Sequence, residues 1–416
     1  MSVAPEVRSP RACDSLAMAV GLLDSLVVAL EAREPHGGLA DTPPGEGAIA
    51  GEQDTWADRI QRVRRERIAL DREEAAERRE ADAAKQPAGD ARIATGRIED
   101  YLRQRNPRGR DLLVKKIDAP LGGYSKDTLI VHLAGADRPA DAVVLRCDSP
   151  FSPLEGSAAD ELEVLRAVHA AGIPVAEALW CERDASVLGR AFLVSRLVSG
   201  QPVMNYRQEP TAEIGRDVAE KFVQLLADIH SIDLPRVASF RGAVERPMAA
   251  QVSSMLDAFE AQWNRHCERQ SAIVTAAFAW MRGNLPRSDS VGRIVHGDAT
   301  FRNLMLDDGR VTALLDWETW HIGDPVEDLA YCRDEIERYL STSQWQALYA
   351  SKVGRPVDQD RLRYWSLWKW LRGSVTSVTL KAKVNSDAAC DLRTAFGGIH
   401  FTRLCLRQLA EGFEHL

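Results

Sequence analysis

The chain has no paired cysteines, no long apolar run and no surplus of basic charge. Its seven cysteines are scattered as Cys13, Cys147, Cys181, Cys267, Cys332, Cys390 and Cys405. An odd count without any C-x-x-C argues against a disulfide framework and a zinc site, and suits reduced thiols in a cytoplasmic protein. A membrane span needs about 18 or more consecutive apolar residues. The nearest stretch, "DSLAMAVGLLDSLVVALEARE", opens on Asp14, is cut by Asp24 and Ser25, and shows no cleavage-like site. It reads as neither a span nor a signal peptide. Its Leu16, Val20, Leu23, Val27 and Leu30 recur at three-and-four spacing, which predicts an amphipathic helix. A net charge of −8 gives no ground for general nucleic-acid binding. The expectation is a cytoplasmic protein with neither nucleic acid nor membrane as partner.

What is present is 416 residues with 45% hydrophobic and 27% charged content, the profile of a globular protein of two or three domains. After the first helix, "EPHGGLADTPPGEGAIAGEQD" reads as a Gly/Pro-rich linker. The charged stretch that follows predicts a solvated helix with Trp56, Ile60 and Val63 as a thin apolar stripe and Arg62/Glu66 and Arg67/Asp71 at i,i+4. The other use of such helices is an oligomer contact. The acids after Arg62–Arg67 neutralise that cluster as an anion site. From residue 110, β-branched runs broken by Gly and Pro predict strands. "SAADELEVLRAVHAAG" then predicts a helix ending at Gly172. Beyond about residue 211 the pattern is mostly helical. The order is a short antiparallel β-rich lobe with one helix, then a larger helical lobe.

Four pieces carry chemistry. "LGGYSKDT" sets Gly122, Gly123 and Ser125 between two strands, where backbone N–H groups and a hydroxyl can approach a phosphate chain; a plain hairpin turn is its bland counterpart. Arg146 stands inside the apolar strand "VVLRCD" and needs an anionic partner, for which Glu161 on the next helix is the candidate and Glu163 the competitor. A strand cation paired to a helix acid positions the α and β phosphates of ATP in kinase-type lobes. In "VHGDATFRNLML", Asp298 and Asn303 have the spacing of the H-R-D-x-x-x-x-N loop, with Gly297 in place of the Arg. There an Asp takes the proton of the attacking hydroxyl and an Asn oxygen helps hold Mg²⁺. Finally, Asp316 follows an apolar strand in "ALLDWETWHIGDPVEDLAY", where a carboxylate can bridge Mg²⁺ to phosphates. Residues 296–337 hold eleven acids against three basic residues, an excess that cations would offset.

With these motifs, "HGDATFRN", "LLDWE" and "GDPVEDLA" above all, the sequence from about residue 112 onward resembles the aminoglycoside phosphotransferase and choline kinase superfamily. The resemblance is to its branch of kinase domains attached to some acyl-CoA dehydrogenases. It implies an α+β, bilobal protein-kinase-like fold, with an N-lobe over 93–198 and a helical C-lobe over 199–416; the helical N-terminal extension over 1–92 is read from its periodicity and lies outside the resemblance. The resemblance implies ATP and Mg²⁺ as cofactors, Asp298 as catalytic base, and Asn303 and Asp316 as metal ligands. Gly122, Gly123 and Ser125 fall on the phosphate loop, and Arg146 and Glu161 on the cation–acid pair. Ser195 and Leu197 fall in the hinge that binds adenine through backbone groups. His296 falls where a residue braces the catalytic loop, and Asp324 and Asp328 on structural acids. Many members carry Lys where this chain has Arg146, although Arg can grip phosphate bidentately.

Residues 341–416 hold eleven basic and six acidic residues. A basic lining would suit an anionic acceptor, such as a hydroxy acid or hydroxyacyl-CoA, and an acidic one a polycationic aminoglycoside. Scattered surface Arg and Lys is the plainer account. Tyr364, Trp365, Trp368 and Leu371 share one helical side as core, and His321 reads as structural. The expected function is a small-molecule kinase. The alternatives are a non-catalytic nucleotide-binding or scaffolding member and an aminoglycoside resistance kinase, with a homodimer through the N-terminal helices as the possible assembly.

Overall fold

A computed structural model describes residues 62, 63, 65 and 66, and then 95–414 apart from 107–110, 121–124, 136–138, 150, 151, 153, 155, 204–209, 234–245, 287–291 and 387–391. The Leu16–Leu30 stripe, Trp56 and Ile60 lie outside that set.

Helix α1 (Thr95–Arg105) precedes five strands, β1 (Leu113–Asp118), β2 (Lys126–Ala134), β3 (Ala142–Asp148), β4 (Ala178–Glu182) and β5 (Phe192–Arg196). Helix α2 (Ala158–Ala170) enters between β3 and β4. The strands form one antiparallel sheet in the order β1-β2-β3-β5-β4. Side chains alternate between the two faces of a strand, and this alternation decides what the sheet does. Leu145 and Cys147 of β3 and Phe192 and Val194 of β5 pack with Ile98, Tyr101 and Leu102 of α1. Arg146 and Leu193 are paired across β3 and β5 and face the other way. Leu193 there joins Val164, Leu165 and Val168 of α2 in the larger core. One face is thus a small sealed core and the other bears the cation. Helix α2 ends as predicted, with Gly172 at φ 84°, a conformation glycine adopts without a Cβ clash.

After β6 (Gln201–Pro202) come α3 (Ala212–His230), α4 (Met248–His266) and α5 (Ala272–Gly283). The short strands β7 (Arg293–Val295), β8 (Leu304–Asp307), β9 (Arg310–Leu314) and β10 (His321–Gly323) follow, and then α6 (Val326–Ile336), α7 (Thr342–Val353), α8 (Gln359–Ser386) and α9 (Leu392–Glu414). Strand β7 pairs with β10, and β8 with β6 and β9. The aromatic side of α8 is core: Tyr364, Trp365, Trp368 and Leu371 are all buried. Val63, from the N-terminal extension, is also buried in this larger core. Nearby, Glu66 Oε2 accepts from the Ile273 N–H at 3.1 Å and so helps cap α5. No helix of the described residues is long and apolar enough to cross a membrane. The five described cysteines are unpaired thiols.

Candidate active site

Strand β7 delivers the loop of residues 296–303 to the cleft under the small sheet. Gly297 adopts φ 79°, and a Cβ there would lie 2.5 Å from the Thr319 carbonyl oxygen. An arginine at this position would not fit that backbone, which explains the departure from H-R-D. Asp328, fully buried on α6, clamps the loop with both oxygens: the His296 N–H and the Gly297 N–H each donate to it at 2.8 Å. His230 Nε2 lies 3.1 Å from the same carboxylate. The Asp298 N–H points to His296 Nδ1 at 3.2 Å, so that nitrogen is bare and Nε2–H donates to the Leu315 carbonyl at 2.9 Å. Burial accordingly pushes the His296 pKa down, toward the neutral form. Asp324, also fully buried, accepts from Arg361, from Trp365 Nε1 at 2.8 Å and from the Val326 N–H at 2.9 Å. It ties the start of α6 to α8.

Asn303 ends the loop. Its Nδ2 donates to the Asp298 backbone oxygen at 2.8 Å and to Asp298 Oδ2 at 3.1 Å. Burial raises the Asp298 pKa, and the neighbouring Asp316 raises it further. Asp316 follows β9 in the left-handed region at φ 69°. Non-glycine residues occupy that region rarely and at some cost, and Asp tolerates it better than most. Such placement aims the Asp316 side chain at the small lobe, where Arg146 Nη2 meets Oδ1 at 2.5 Å.

Arg146 lies between three acids. Its Nη1 is 3.4 Å from Glu161 Oε2, and its Nη2 is 3.9 Å from Glu318 Oε2. Burial opposes the guanidinium charge, but Glu161, Asp316 and Glu318 outweigh it and raise its pKa. Glu163, the competing partner, is solvent-exposed. Glu161 is buried, and neither of its oxygens has a hydrogen-bond partner. Its nearest cations are Arg146 and Lys126, whose Nζ lies 3.8 Å away and 2.5 Å from Asp148. Burial raises the Glu161 pKa. Ser125 Oγ donates to Glu318 at 2.5 and 2.6 Å. Burial and the adjacent Asp316 push the Glu318 pKa up to about 8.

Every candidate residue but two is therefore placed. Gly122 and Gly123 lie outside the described residues. Ser195 is buried on β5, paired with Val144 of β3, and Leu197 follows it exposed. Sequence reasoning missed Lys126 and Glu318. Glu318 carried a signal, standing two residues after Asp316 in "LLDWE".

The crowding of Asp298, Asp316, Glu318 and Glu161, three of them with raised pKa, fits a site that takes a cation. Among the described residues no three His, Cys, Asp or Glu side chains are grouped to hold a metal by themselves. Mg²⁺ is commonly bound by one or two carboxylates together with substrate phosphates and water. Asp316 and the Asn303 side-chain oxygen are the ligands on offer.

The profile of the phosphotransferase enzyme family matches residues 116–365. The chain belongs to that family. Among curated proteins, acyl-CoA dehydrogenase family member 11 of Mus musculus is 31% identical over 246 residues, which are 56% of this chain and 30% of that protein. The Gallus gallus counterpart is 31% identical over 219 residues, 50% of this chain and 26% of that protein. The chain thus spans under a third of the relatives it matches. Among solved structures, a Ralstonia eutropha chain described as an aminoglycoside phosphotransferase superposes with a TM-score of 0.58 at 20% identity. That superposition covers 78% of this chain and 99% of the other. Aminoglycoside 2'-phosphotransferase IIIa in its GDP complex gives 0.53 at 14% identity, over 77% and 99%. These likenesses show the bilobal α+β kinase-like fold.

Proposed function

We propose that this family member is an ATP- and Mg²⁺-dependent kinase that moves the γ-phosphoryl group to a hydroxyl of a small molecule. The observation that carries it is the convergence of Asp298, Asn303, Asp316 and Arg146, from both lobes, on one cleft. Asp298 would accept the proton of the attacking hydroxyl. Asn303, through Nδ2, holds that carboxylate in place. Arg146 would bind phosphate oxygens from the sheet side, with Glu161 behind it. Ser125 would donate from the loop that covers the phosphates, and the Ser195–Leu197 segment would meet the adenine. Asp316 and Asn303 would hold Mg²⁺, which would supply neutralisation of developing phosphate charge.

For the acceptor we favour an anionic alcohol, a hydroxy acid or hydroxyacyl-CoA. Five of the six basic residues of α8 lie against acids: Arg361 on Asp324, Arg363 on Asp360, Lys369 on Asp334, Arg372 on Glu327 and Lys381 on Glu268. Of these, Arg372 and Lys369 also approach the Tyr331 ring, at 4.8 and 5.6 Å. The matches to acyl-CoA dehydrogenase family members support the same class. The unpaired thiols suit a cytoplasmic location.

A second reading, a non-catalytic nucleotide-binding member, is favoured by one contact: Arg146 already fills the cation-seeking side of Asp316. The deciding experiment incubates the protein with ATP, Mg²⁺ and metabolite extract, and follows phosphorylated products by mass spectrometry. A new phosphorylated alcohol that depends on the protein supports the kinase. Nucleotide binding with no product supports the second reading.

A further inference from the structure

Helix α6 grips the loop of residues 296–303 at both ends. Asp328 takes the His296 and Gly297 N–H groups at its start. Glu335 stands two turns further along α6, on the same face of the helix. Its Oε2 accepts from the Phe301 N–H at 2.7 Å, and its Oε1 lies 3.9 Å from Arg302 Nη2. Phe301 opens the single 3-10 turn Phe301–Asn303. Thr300 precedes that turn and is of a type that commonly caps, yet its hydroxyl makes no cap bond there. The carboxylate from α6 takes the place of that cap. The Glu335 side chain is only 13% exposed. Phe301 is buried, edge-on to Phe222 at 5.4 Å and stacked on Tyr339 at 6.2 Å.

The last residue of the turn is Asn303. Its N–H donates to the Thr300 carbonyl at 3.1 Å, and its own carbonyl accepts from the Leu315 N–H at 2.7 Å, one residue before Asp316. Its Nδ2 donates to the Asp298 backbone oxygen at 2.8 Å and to Asp298 Oδ2 at 3.1 Å. How the turn is seated therefore sets where the Asn303 amide points. A backbone N–H donating to a carboxylate makes a charge-assisted bond, roughly twice as strong as a neutral one. Without that acceptor the Phe301 N–H would be left unpaired in a shielded place, and the turn would shift to find another.

We propose that Glu335 is a positioning residue that seats the Phe301–Asn303 turn and so orients the Asn303 amide between Asp298 and the cation. The proposal rests on reading Asn303 as a metal ligand. Glu335→Ala removes the acceptor, Glu335→Gln keeps an oxygen that can accept, and Glu335→Asp keeps the charge but falls one methylene short. The test titrates Mg²⁺ into the full chain at fixed ATP and reads the ATP-induced rise in melting temperature. Glu335→Ala is expected to raise the half-effective Mg²⁺ concentration about tenfold, a usual loss for a residue that orients a metal ligand. The Mg²⁺-free ATP shift should stay unchanged, and Glu335→Gln should stay near the wild type. In an Asn303→Ala background, Glu335→Ala is expected to cost nothing further. If Glu335→Ala does not fold, Glu335→Asp takes its place with the same expectation. An unchanged Mg²⁺ requirement, or an equal rise in both backgrounds, overturns the proposal. A wild-type ATP shift that ignores Mg²⁺ counts against the metal reading instead. The seat is then decided by amide hydrogen exchange at residues 301–303. Protection lost in Glu335→Ala and kept in Glu335→Gln sustains it, and protection equal to the wild type in both overturns it.

Discussion

Arg146 and Asp316 meet at 2.5 Å across 170 positions of sequence and join the small sheet to the large lobe. The pair sits beside two further acids, so its loss would leave buried carboxylates without their shared cation. Removing one partner of such a cluster typically destabilises by about 3–5 kcal/mol. Arg146→Met is expected to unfold at clearly lower denaturant concentration than the wild type, with Arg146→Lys between them. Equal midpoints would show that the cluster is not held by this charge.

Asp316→Ala removes the carboxylate that projects from the left-handed turn. In the wild type, ATP should raise the melting temperature more with Mg²⁺ than without it. The variant should lose that difference and keep the Mg²⁺-independent part. Identical ATP shifts with and without Mg²⁺ in the wild type would count against a metal at this position.

These two predictions mark where local sequence was informative. Asp298, Asn303 and Asp316 were legible because one loop and the next strand end carry them at fixed spacing. Arg146 was legible because a charge in a β-branched run needs a partner. Its main partner was not, since Glu161 is nearer in sequence but Asp316 nearer in space. Glu318 meets Ser125 across 193 positions, and Arg361 reaches Asp324 only because α8 crosses α6. No local pattern encodes such a crossing. Gly297 was read as a substitution in a motif, and its reason emerged only with the backbone angle and the proximity of Thr319.

His321 pairs with Glu327. Burial works against its charge, but the Glu327 carboxylate outweighs burial and raises the pKa above the ordinary value of 6.5. A His with a raised folded-state pKa contributes stability that is present below the unfolded value and lost as pH rises through the folded one. Stability should therefore fall as pH climbs from below 6.5 to above the raised pKa, and His321→Gln should flatten that part of the profile. An unchanged profile in the variant would assign the dependence elsewhere.

Glu66 helps cap α5 beside Ser271, whose hydroxyl accepts from the Val274 N–H. Glu66→Ala is expected to cost about 1 kcal/mol, the usual value of a lost cap, measured by denaturant unfolding. No change would mean that Ser271 suffices.

The earlier part of the extension is proposed to support a homodimer through the Leu16–Leu30 stripe. Light scattering should then give a dimer for the full chain and a monomer for a chain beginning at Ala91. Two monomers would remove the dimer role.

The central claim is that Asp298 takes the proton of the attacking hydroxyl. Its most direct test is phosphoryl transfer from ATP by Asp298→Asn beside the wild type, with nucleotide binding measured on the same samples. Turnover is expected to fall on the order of 10²–10⁴-fold while Mg·ATP still binds. A variant that keeps more than about half of the wild-type turnover would contradict the account.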